Sequence, residues 1–369
     1  MPRYAHVTGW GMAVPEKVLT NSDLANLVDT SNEWIVERTG IRERHIADDH
    51  ETTASLATDA AIKALEMANL DPSDVDLIIV STSSPEHIFP ATACLVQDRI
   101  GASKAGAFDL SAACTGFIFA LNMAAQAIRT GEMENILVIG AETLSRLVNW
   151  KDRNTCILFG DGAGAFVLQP SDIEGGVLSA VMRSDGSGGD LLSLPAGGSR
   201  FPTSTATIAD GLHYIHMSGR EVFRFATRVM AQATQEAVQK ANLQMDDVKL
   251  IIPHQANQRI IEAAARQLEI SMERVQVNVA SYGNTSTASI PIATCEAITA
   301  GRLQAGDRVV FVGFGAGLTW GAAVVQWSGP ILEKRKRYLP PSYRAWAKVR
   351  SLLNRLVRRI EGILWGRLE

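Results

Sequence analysis

One pattern of twelve residues occurs twice in this 369-residue chain, and it limits the folds that the chain can adopt. Residues 69–80 match residues 242–253 at seven of twelve positions, and each copy runs from a polar turn into an apolar, β-branched segment. The helices predicted just before the two copies carry alanines at the same offset of 173 residues. Each copy therefore predicts a helix, a turn and a buried strand. Such a repeat indicates an internal duplication.

Later segments extend the repeat. Residues 135–140 and 308–313 each predict a further strand, and the glycine-rich segments 160–164 and 313–317 each lead into another apolar strand. Two helix–strand halves with parallel strands bury both faces of their sheets under helices, so we expect an α/β body built in layers. The predicted units are residues 1–170, 171–330 and 331–369.

The composition argues against several classes of protein. With 46% hydrophobic and 20% charged residues, the chain has ordinary globular composition. The four cysteines lie far apart without clustered histidines, so we expect neither a metal site nor a disulfide framework. No apolar run is long enough for a signal peptide or a membrane span, which predicts a reduced, cytoplasmic protein. The chain lacks a Gly-Lys-Ser/Thr phosphate loop, which argues against an NTPase. We also expect no nucleic-acid partner.

Cys114 lies at a predicted strand-to-helix turn. The apolar run 105–110 predicts a buried strand, and small residues lead from it into a helix that ends at Gly131. Cys114 would occupy the first position of that helix, where the helix dipole lowers the pKa of a thiol and favours the thiolate. A small core residue packed under the helix is the alternative.

Two polar residues are expected at the same rim of the fold. His254 directly follows the second-half strand 250–252, at the strand end where open α/β sheets bind ligands. Asn284 lies in a turn of small residues just before another helix. Each residue alone also fits a core histidine or a turn asparagine. Together with Cys114 they indicate a nucleophile accompanied by two hydrogen-bonding groups.

Trp34 and Arg38 are four residues apart on a predicted helix, so they share one face of it. An aromatic ring beside a guanidinium suits a flat, anionic ligand such as a nucleotide. An ordinary pair of surface side chains is the alternative.

Several motifs together resemble the thiolase superfamily, and within it the β-ketoacyl-acyl-carrier-protein synthase III family. The resemblance extends over about residues 4–327 and implies a thiolase-like duplicated αβαβα layered fold with two pseudo-equivalent halves. The motifs are Ala-Cys-Thr-Gly-Phe at 113–117, Pro-His-Gln-Ala-Asn at 253–257, Gly-Asn-Thr-Ser at 283–286, Phe-Gly-Asp-Gly-Ala-Gly at 159–164 and the segment 29–42.

The resemblance implies a two-stage acyl transfer that needs no cofactor beyond the CoA of its substrate. Cys114 would take the acyl group from an acyl-CoA, and malonyl-acyl-carrier protein would then lose CO₂ to form an enolate that attacks the acyl-enzyme. His254 and Asn284 would donate hydrogen bonds to the thioester oxygen of that enolate. The backbone N–H groups of Cys114 and Ala316 would form the oxyanion hole. Ala316 stands where the family usually has glycine, so its N–H serves only if φ is negative.

Other roles follow from the resemblance residue by residue. The implied partners are an acyl-CoA, acyl-carrier protein and a second copy of the chain in a homodimer. Phe89 would reach the acyl pocket of the partner subunit, where its ring favours a short primer such as acetyl-CoA. For the carrier-docking cations a plain solvated face is an equal alternative. The residues are Trp34, Arg38, Arg153, Gly219 and Asn257 for CoA, Phe89 and Phe314 for the acyl pocket, and Arg224, Arg259 and Arg266 for the carrier protein.

The tail departs from the family. Residues 331–369 carry a net charge of +8, against −12 for the rest of the chain. Apolar residues at three- and four-residue spacing after Pro341, with cations on the other faces, predict a basic amphipathic helix. It would lie on an anionic membrane with Trp346 and Trp365 as anchors, bind the acidic carrier protein, or pack on its own body.

Three other functions stay open at the level of sequence. A related condensing enzyme or acyltransferase of specialised acyl or polyketide biosynthesis would use the same three residues. A cysteine hydrolase would release free acid from an acyl-CoA without a malonyl partner. A non-catalytic protein whose tail recruits acyl-carrier protein to membranes is the alternative outside the enzymes.

Overall fold

The computed structural model describes residues 2–329 and 341–365, and it contains strands and helices in the following order. The strands are β1 Tyr4–Ala13, β2 Val18–Thr20, β3 Glu43–His45, β4 Leu77–Ser81, β5 Gly106–Leu110, β6 Ile136–Thr143, β7 Asp161–Ser171, β8 Gly176–Ser184, β9 Leu192–Ser193, β10 His216–Met217, β11 Leu250–Pro253, β12 Arg308–Gly315 and β13 Thr319–Gln326. The helices are α1 Asn21–Ala25, α2 Asn32–Thr39, α3 Thr53–Ala68, α4 Thr92–Ile100, α5 Gly116–Thr130, α6 Thr205–Ala209, α7 Gly219–Lys240, α8 Gln258–Gln267, α9 Val279–Tyr282, α10 Ser289–Thr299 and α11 Pro341–Trp365.

Two sheets of similar design form the body. The first has the strand order β1-β7-β6-β4-β5, with β6, β4 and β5 parallel and β7 antiparallel to both of its neighbours. The second has the order β8-β13-β12-β11, with β12 and β11 parallel and β13 antiparallel to both neighbours. At the place in the second sheet that corresponds to β5 of the first, a single parallel bridge joins Ile251 to Val275. The two sheets therefore repeat one topology.

The sequence repeat coincides with matching elements. A helix, a 3₁₀ turn and a buried parallel strand follow one another in both copies, as α3 to β4 and as α7 to β11. Asn69 and Asn242, which are 173 positions apart, both adopt left-handed backbone conformations with φ of 53° and 57°. Asparagine tolerates this conformation better than most residues. The duplication is thus present in backbone geometry, and we propose that the halves divide near residue 170.

The layers follow from which helix faces are apolar. Helices α5 and α10 lie between the two sheets, where Phe117, Phe166 and Phe311 belong to one central core. Helices α3 and α4 cover the outer face of the first sheet, and α7 covers the outer face of the second with α8 packed beside it. This arrangement is the expected αβαβα order of layers. It brings the carboxyl ends of β4, β6, β11 and β12 to the neighbourhood of α5 and α10.

One strand is less buried than its sequence predicts. The apolar run at 105–110 indicates a buried strand, yet β5 is only partly covered, and Phe108 is 42% exposed. Within the described residues, β5 pairs with β4 alone, so it forms the edge of the first sheet. An edge strand has unpaired backbone groups along one side, which makes it a place for pairing with another chain.

The amphipathic helix of the tail is present as α11, which packs against α4. The hydroxyl of Ser351 donates a hydrogen bond to Asp98 over 2.6 Å, and Arg355 lies 3.5 Å from the same carboxylate. The rest of the predicted tail, residues 331–340 and 366–369, and the side chain of Trp365 lie outside the described part. Among the helices that the structure describes, none has the length and apolarity to cross a bilayer.

Candidate active site

Cys114 lies on a tight turn that joins β5 to α5. The turn is a 3₁₀ segment, Ala113–Thr115, so the thiol sits two residues before the α-helix begins and not at its first position. Ala113 has a φ of 46°, an uncommon backbone conformation for a residue with a side chain. Thr115 Oγ1 lies within hydrogen-bonding distance of Ala112 O, at 2.7 Å, and of Thr319 Oγ1, at 2.8 Å. These bonds hold the turn against the β12–β13 hairpin.

The resting state of Cys114 differs from the expected thiolate. Burial raises the pKa of the Cys114 thiol to about 12, and the charge of Glu142 adds to the increase while the Ser286 hydroxyl opposes it. Cys114 is only 8% exposed, and this loss of hydration disfavours the charged thiolate. Cys114 is therefore a neutral thiol in the free protein and loses its proton only as it reacts.

His254 follows β11 directly and is buried. Its Nδ1 lies 2.7 Å from Ser289 Oγ, which also accepts the backbone N–H of Gln255 over 3.3 Å. Nε2 of His254 has no hydrogen-bond partner among the described residues. Burial lowers the pKa of His254 to about 3, so the ring is neutral near pH 7. A Ser289 hydroxyl that donates to Nδ1 places the single ring proton on Nε2, where it is free to be donated.

Asn284 is held in a turn between the two halves of the fold. Its backbone N–H donates to Leu158 O over 2.8 Å, and its backbone oxygen accepts Gly160 N–H over 3.0 Å. Its side-chain Oδ1 accepts the N–H of Ser286 over 2.8 Å. With the oxygen occupied in this way, the Nδ2 group remains as a donor. Asn284 and His254 thus both present N–H groups from buried positions.

These three residues line one cavity of about 1080 Å³. Cys114, His254 and Asn284 form its inner end, and the edge of the Phe314 ring meets the imidazole of His254 with ring centres 5.5 Å apart. The 3₁₀ turn that carries Cys114 also contacts the 3₁₀ turn Ser286–Ala288. The structure therefore brings together the three catalytic candidates of the sequence, together with Phe314.

The candidates for the oxyanion hole, the backbone N–H groups of Cys114 and Ala316, lie on two segments that approach each other at Gly315. A Cβ atom on Gly315 would lie 2.7 Å from the backbone nitrogen of Cys114, so the β12–β13 hairpin approaches the nucleophile turn as closely as glycine allows. The next residue, Ala316, does not have a positive φ. Its oxygen accepts a hydrogen bond from Thr319 Oγ1 over 3.0 Å. Alanine at this position therefore does not require the backbone conformation that favours glycine.

Three of the candidates for CoA, Trp34, Arg38 and Asn257, line the cavity, and Arg153 lies beside Trp34 outside this lining. The guanidinium of Arg38 lies 4.4 Å from the centre of the Trp34 ring, and that of Arg153 lies 5.2 Å from it. Arg153 is additionally bound to the backbone and carboxylate oxygens of Asp29. Asn257 caps α8 and donates to Arg38 O over 2.9 Å. Trp34 is thus a half-buried aromatic ring with two guanidinium groups within stacking distance.

The other predicted positions divide into those at the cavity and those away from it. Gly219, Arg224 and Arg259 line the cavity, whereas Arg266 is exposed further along α8. Phe89 is 84% exposed and does not line the cavity of its own chain. That position agrees with a side chain that reaches another subunit.

Sequence reasoning missed the groups behind the nucleophile. Glu142 is fully buried at the end of β6. Its carboxylate accepts hydrogen bonds from Ser84 Oγ over 2.6 Å, from Thr287 Oγ1 over 3.1 Å and from the backbone N–H of Ser83 over 3.1 Å. Burial raises the pKa of Glu142, although these hydrogen bonds and one from the Ser286 hydroxyl lower it in part. The available signal was a carboxylate among apolar residues at the carboxyl end of a parallel strand. Ser289 gave no signal, because serines are common at helix starts.

The described residues contain no group of three or more His, Cys, Asp or Glu side chains arranged to hold a metal ion. The groups that the cavity does present are the thiol of Cys114, the imidazole of His254, the amide of Asn284 and nearby backbone donors. A thiol beside a set of oriented N–H groups suits the transfer of an acyl group between thioesters.

Comparisons with known proteins agree with this chemistry. The family model described as 3-oxoacyl-[acyl-carrier-protein (ACP)] synthase III matches residues 108–186, and its C-terminal counterpart matches residues 238–327. The β-ketoacyl-[acyl-carrier-protein] synthase III of Roseiflexus sp. (strain RS-1) is 52% identical over 328 residues, which are 89% of this chain and 100% of that protein. The enzyme of the same name from Symbiobacterium thermophilum is 56% identical over 87% of this chain and 97% of its own.

A solved structure shows the same fold. The crystal structure of 3-oxoacyl-[acyl-carrier-protein] synthase III from Aquifex aeolicus VF5 superposes with a TM-score of 0.81 at 47% identity, covering 88% of this chain and 100% of that one. These relatives are spanned almost completely while about a tenth of this chain has no counterpart in them. By this similarity, the chain belongs to the β-ketoacyl-acyl-carrier-protein synthase III family, the condensing acyltransferases of fatty-acid synthesis within the thiolase superfamily.

Proposed function

We propose that this protein condenses a short acyl-CoA, such as acetyl-CoA, with malonyl-acyl-carrier protein to begin fatty-acid synthesis. The observation that supports this most directly is the single cavity that runs from Trp34 and Arg38 at its mouth to Cys114, His254 and Asn284 at its inner end. A ligand with a nucleotide at one end and a thioester at the other, such as an acyl-CoA, would contact both sets of residues. The CoA moiety arrives as part of the substrate, and no further cofactor takes part in the proposal.

Acylation of Cys114 is the first step. The nucleotide of acyl-CoA stacks on Trp34 between Arg38 and Arg153, and the arm passes Gly219 and Asn257 toward the thiol. The sulfur of Cys114 bonds to the acyl carbon while the bond from that carbon to the CoA sulfur breaks. The thiol proton leaves with CoA, so the products are an acyl-enzyme and free CoA. The backbone N–H groups of Cys114 and Ala316 receive the carbonyl oxygen as it becomes negative.

Condensation is the second step. The carboxylate of malonyl-acyl-carrier protein leaves as CO₂, and the electron pair of the broken C–C bond forms an enolate. The N–H groups of His254 and Asn284 hold the enolate oxygen, and because His254 is neutral it donates a hydrogen bond without carrying a full charge. The enolate carbon then bonds to the acyl carbon, and the Cys114 sulfur leaves. One proton from solvent restores the thiol and balances the reaction.

The protein partners are proposed from charge and exposure. Arg224 and Arg259 border the mouth of the cavity, where they are placed to meet the acidic carrier protein, and Arg266 extends this cationic face along α8. The open edge of β5 and the exposed Phe89 support a homodimer in which Phe89 borders the acyl pocket of the partner subunit. We place the enzyme in the cytoplasm, where both substrates are available, and expect no nucleic-acid partner.

Intact-mass spectrometry tests the proposal. The protein is mixed with acetyl-CoA and then with malonyl-acyl-carrier protein, and Cys114→Ala serves as the control. We expect one acyl adduct that the control lacks, and its conversion to β-ketoacyl-acyl-carrier protein on addition of the second substrate. An adduct that hydrolyses without condensing would indicate a hydrolase. The absence of any adduct across acetyl-, longer and branched acyl-CoAs would refute the assignment of Cys114.

A further inference from the structure

Helix α11 is built from two very different faces. Eight large apolar side chains lie along one side of it, and all are exposed, with Trp346 at 70%, Leu352 at 64% and Ile363 at 59%. The helix has 25 residues and stretches over roughly 37 Å. Exposed apolar surfaces of this extent on a folded protein mark interaction sites. The eight residues, called the apolar face below, are Trp346, Val349, Leu352, Leu353, Leu356, Val357, Ile360 and Ile363.

The body of the protein holds α11 by its opposite side. Ala347 is 5% exposed, and Ser351, one turn later, bonds to Asp98 of α4. At about 100° per residue, Ala347 and Ser351 lie roughly 170° around the helix from the centre of the apolar face. Only the start of that face, at Trp346, Val349 and Leu353, borders the body, across an apolar groove of about 290 Å³ beside Gly101. Packing on its own body therefore leaves most of the apolar face uncovered.

The charges of the helix indicate which partner covers the apolar face. Its sequence carries six cations, Arg344, Lys348, Arg350, Arg355, Arg358 and Arg359, against the single acidic residue Glu361. Two such helices brought together face to face would place like charges along both edges, where paired helices usually have opposite charges. An anionic bilayer instead complements the cations beside the apolar face, which are Lys348, Arg350 and Arg359, while Arg355 lies beside Asp98 of α4.

The acidic carrier protein fits this face less well than a bilayer does. The relatives from Roseiflexus and Symbiobacterium are named for the same carrier-dependent reaction, yet 328 and 321 residues of this chain span 100% and 97% of them, and the family match ends at residue 327. Docking of a carrier therefore does not require α11. The broad apolar face flanked by cations, with a tryptophan near its start, has the composition of helices that lie in the plane of a membrane interface.

We propose that α11 is a peripheral membrane anchor whose apolar face inserts into the interface of an anionic bilayer while Ala347 and Ser351 keep the helix docked on α4. The anchor places the enzyme at the lipid surface without any spanning segment. This proposal concerns the tail alone and does not depend on the identity of the acyl primer.

Vesicle flotation of the full chain tests the anchor. Phosphatidylcholine vesicles containing about 30 mol % phosphatidylglycerol are compared with pure phosphatidylcholine vesicles, at low and high salt. We expect the protein to float with the anionic vesicles and to be released from them by salt. Leu356→Glu should weaken partition into the vesicles at least about tenfold, because it removes one leucine that inserts into the bilayer and adds a charge to the inserted face. Asn354→Glu adds the same charge on the polar side, and its partition should decrease far less.

Mass by light scattering and condensation of soluble substrates accompany each variant, so that a misfolded protein is recognised. Equal flotation with neutral and anionic vesicles would overturn the role of the cations. No flotation of the wild type, or an Asn354→Glu variant as impaired as Leu356→Glu, would overturn the anchor. If the wild type does not float and Leu356→Glu decreases the mass of the assembly in solution, the apolar face would instead bind a second copy of the chain.

Discussion

Ser289 Oγ lies 2.7 Å from Nδ1 of His254, and this contact determines which ring nitrogen faces the cavity with a proton. The hydroxyl already accepts the N–H of Gln255, so its own proton is available for Nδ1. Nε2 is then the protonated nitrogen, buried and without another partner. The donor that the condensation step needs is thus prepared by a residue that does not touch the substrate.

Ser289→Ala should therefore impair condensation and spare acylation. Without the hydroxyl, the neutral imidazole is free to carry its proton on Nδ1, which deprives the enolate of one donor. We expect condensation to slow about tenfold, corresponding to one hydrogen bond of about 1.4 kcal/mol. Intact-mass spectrometry follows acyl-Cys114 formation separately from product release. Thr294→Ala, buried on the same helix but bonded only to Ile290 O, is the matched control. Equal losses in both steps would count against this role.

The raised pKa of Cys114 predicts a steep pH dependence of its alkylation. Because burial raises the pKa to about 12, the neutral thiol dominates at every pH below that value. The thiolate fraction, and with it the rate of alkylation by iodoacetamide, should increase about tenfold per pH unit between about pH 7 and pH 9. Cys94→Ser serves as the background because Cys94 is exposed. A rate that levels off near pH 8 would show instead that the end of the helix outweighs burial.

Gly315→Ala should disable the nucleophile turn. The new Cβ would lie 2.7 Å from the nitrogen of Cys114 and 3.1 Å from the Cβ of Ala113, so the turn has to shift. A displacement of about 1 Å at a reacting group costs about a hundredfold in rate, and we expect that loss in acylation. Gly186→Ala is the control, since its Cβ would meet no atom within 4 Å. Thermal unfolding of both variants separates a displaced turn from a general loss of stability. Normal acylation of Gly315→Ala would contradict the expectation.

Trp34→Ala should weaken the binding of CoA without slowing the chemistry. The guanidinium groups of Arg38 and Arg153 lie 4.4 Å and 5.2 Å from the centre of the ring, which carries none of the groups that react with the thioester. We expect KM for acetyl-CoA to increase about tenfold with kcat little changed, the signature of lost uniform binding. The N-acetylcysteamine thioester of acetate, which lacks the nucleotide, should react equally with both proteins. A similar defect with that substrate would place the effect in the fold and not in nucleotide binding.

Glu142→Gln should change how stability depends on pH. Burial raises the pKa of Glu142, so the folded protein retains a proton that the unfolded chain loses above about pH 4.3. The folded state then binds more protons than the unfolded state, and the free energy of unfolding decreases as the pH increases through this window. Glutamine does not titrate. The stability of wild type relative to Glu142→Gln, measured by urea unfolding at pH 5 and pH 8, should therefore be lower at pH 8. A relative stability that increases with pH would show that the hydrogen bonds of Glu142 outweigh its burial.

Much of the fold follows from local patterns. Residues 69–80 and 242–253 predict two helix–strand units because buried strands and helices have distinct periodicities, and both units are present with matching 3₁₀ turns. The motifs around Cys114, His254 and Asn284 indicated the family, which the comparisons confirm. A layered α/β body followed from the duplication, since parallel strands bury both sheet faces, and the αβαβα order of the layers followed from the family resemblance.

Other properties depend on neighbours that are distant in sequence. The pKa of Cys114 is raised by the exclusion of water at the β12–β13 hairpin and the turn at 286–288, which a helix-end argument from its own segment does not include. Glu142 lies behind the nucleophile only because β6 and the 286–288 turn meet in space. The amphipathic pattern of α11 was evident from sequence, but its contact with Asp98 decided which face stays exposed. Periodicity is local and can be read along a chain, whereas hydration, charge proximity and exposure are set by the whole packed structure.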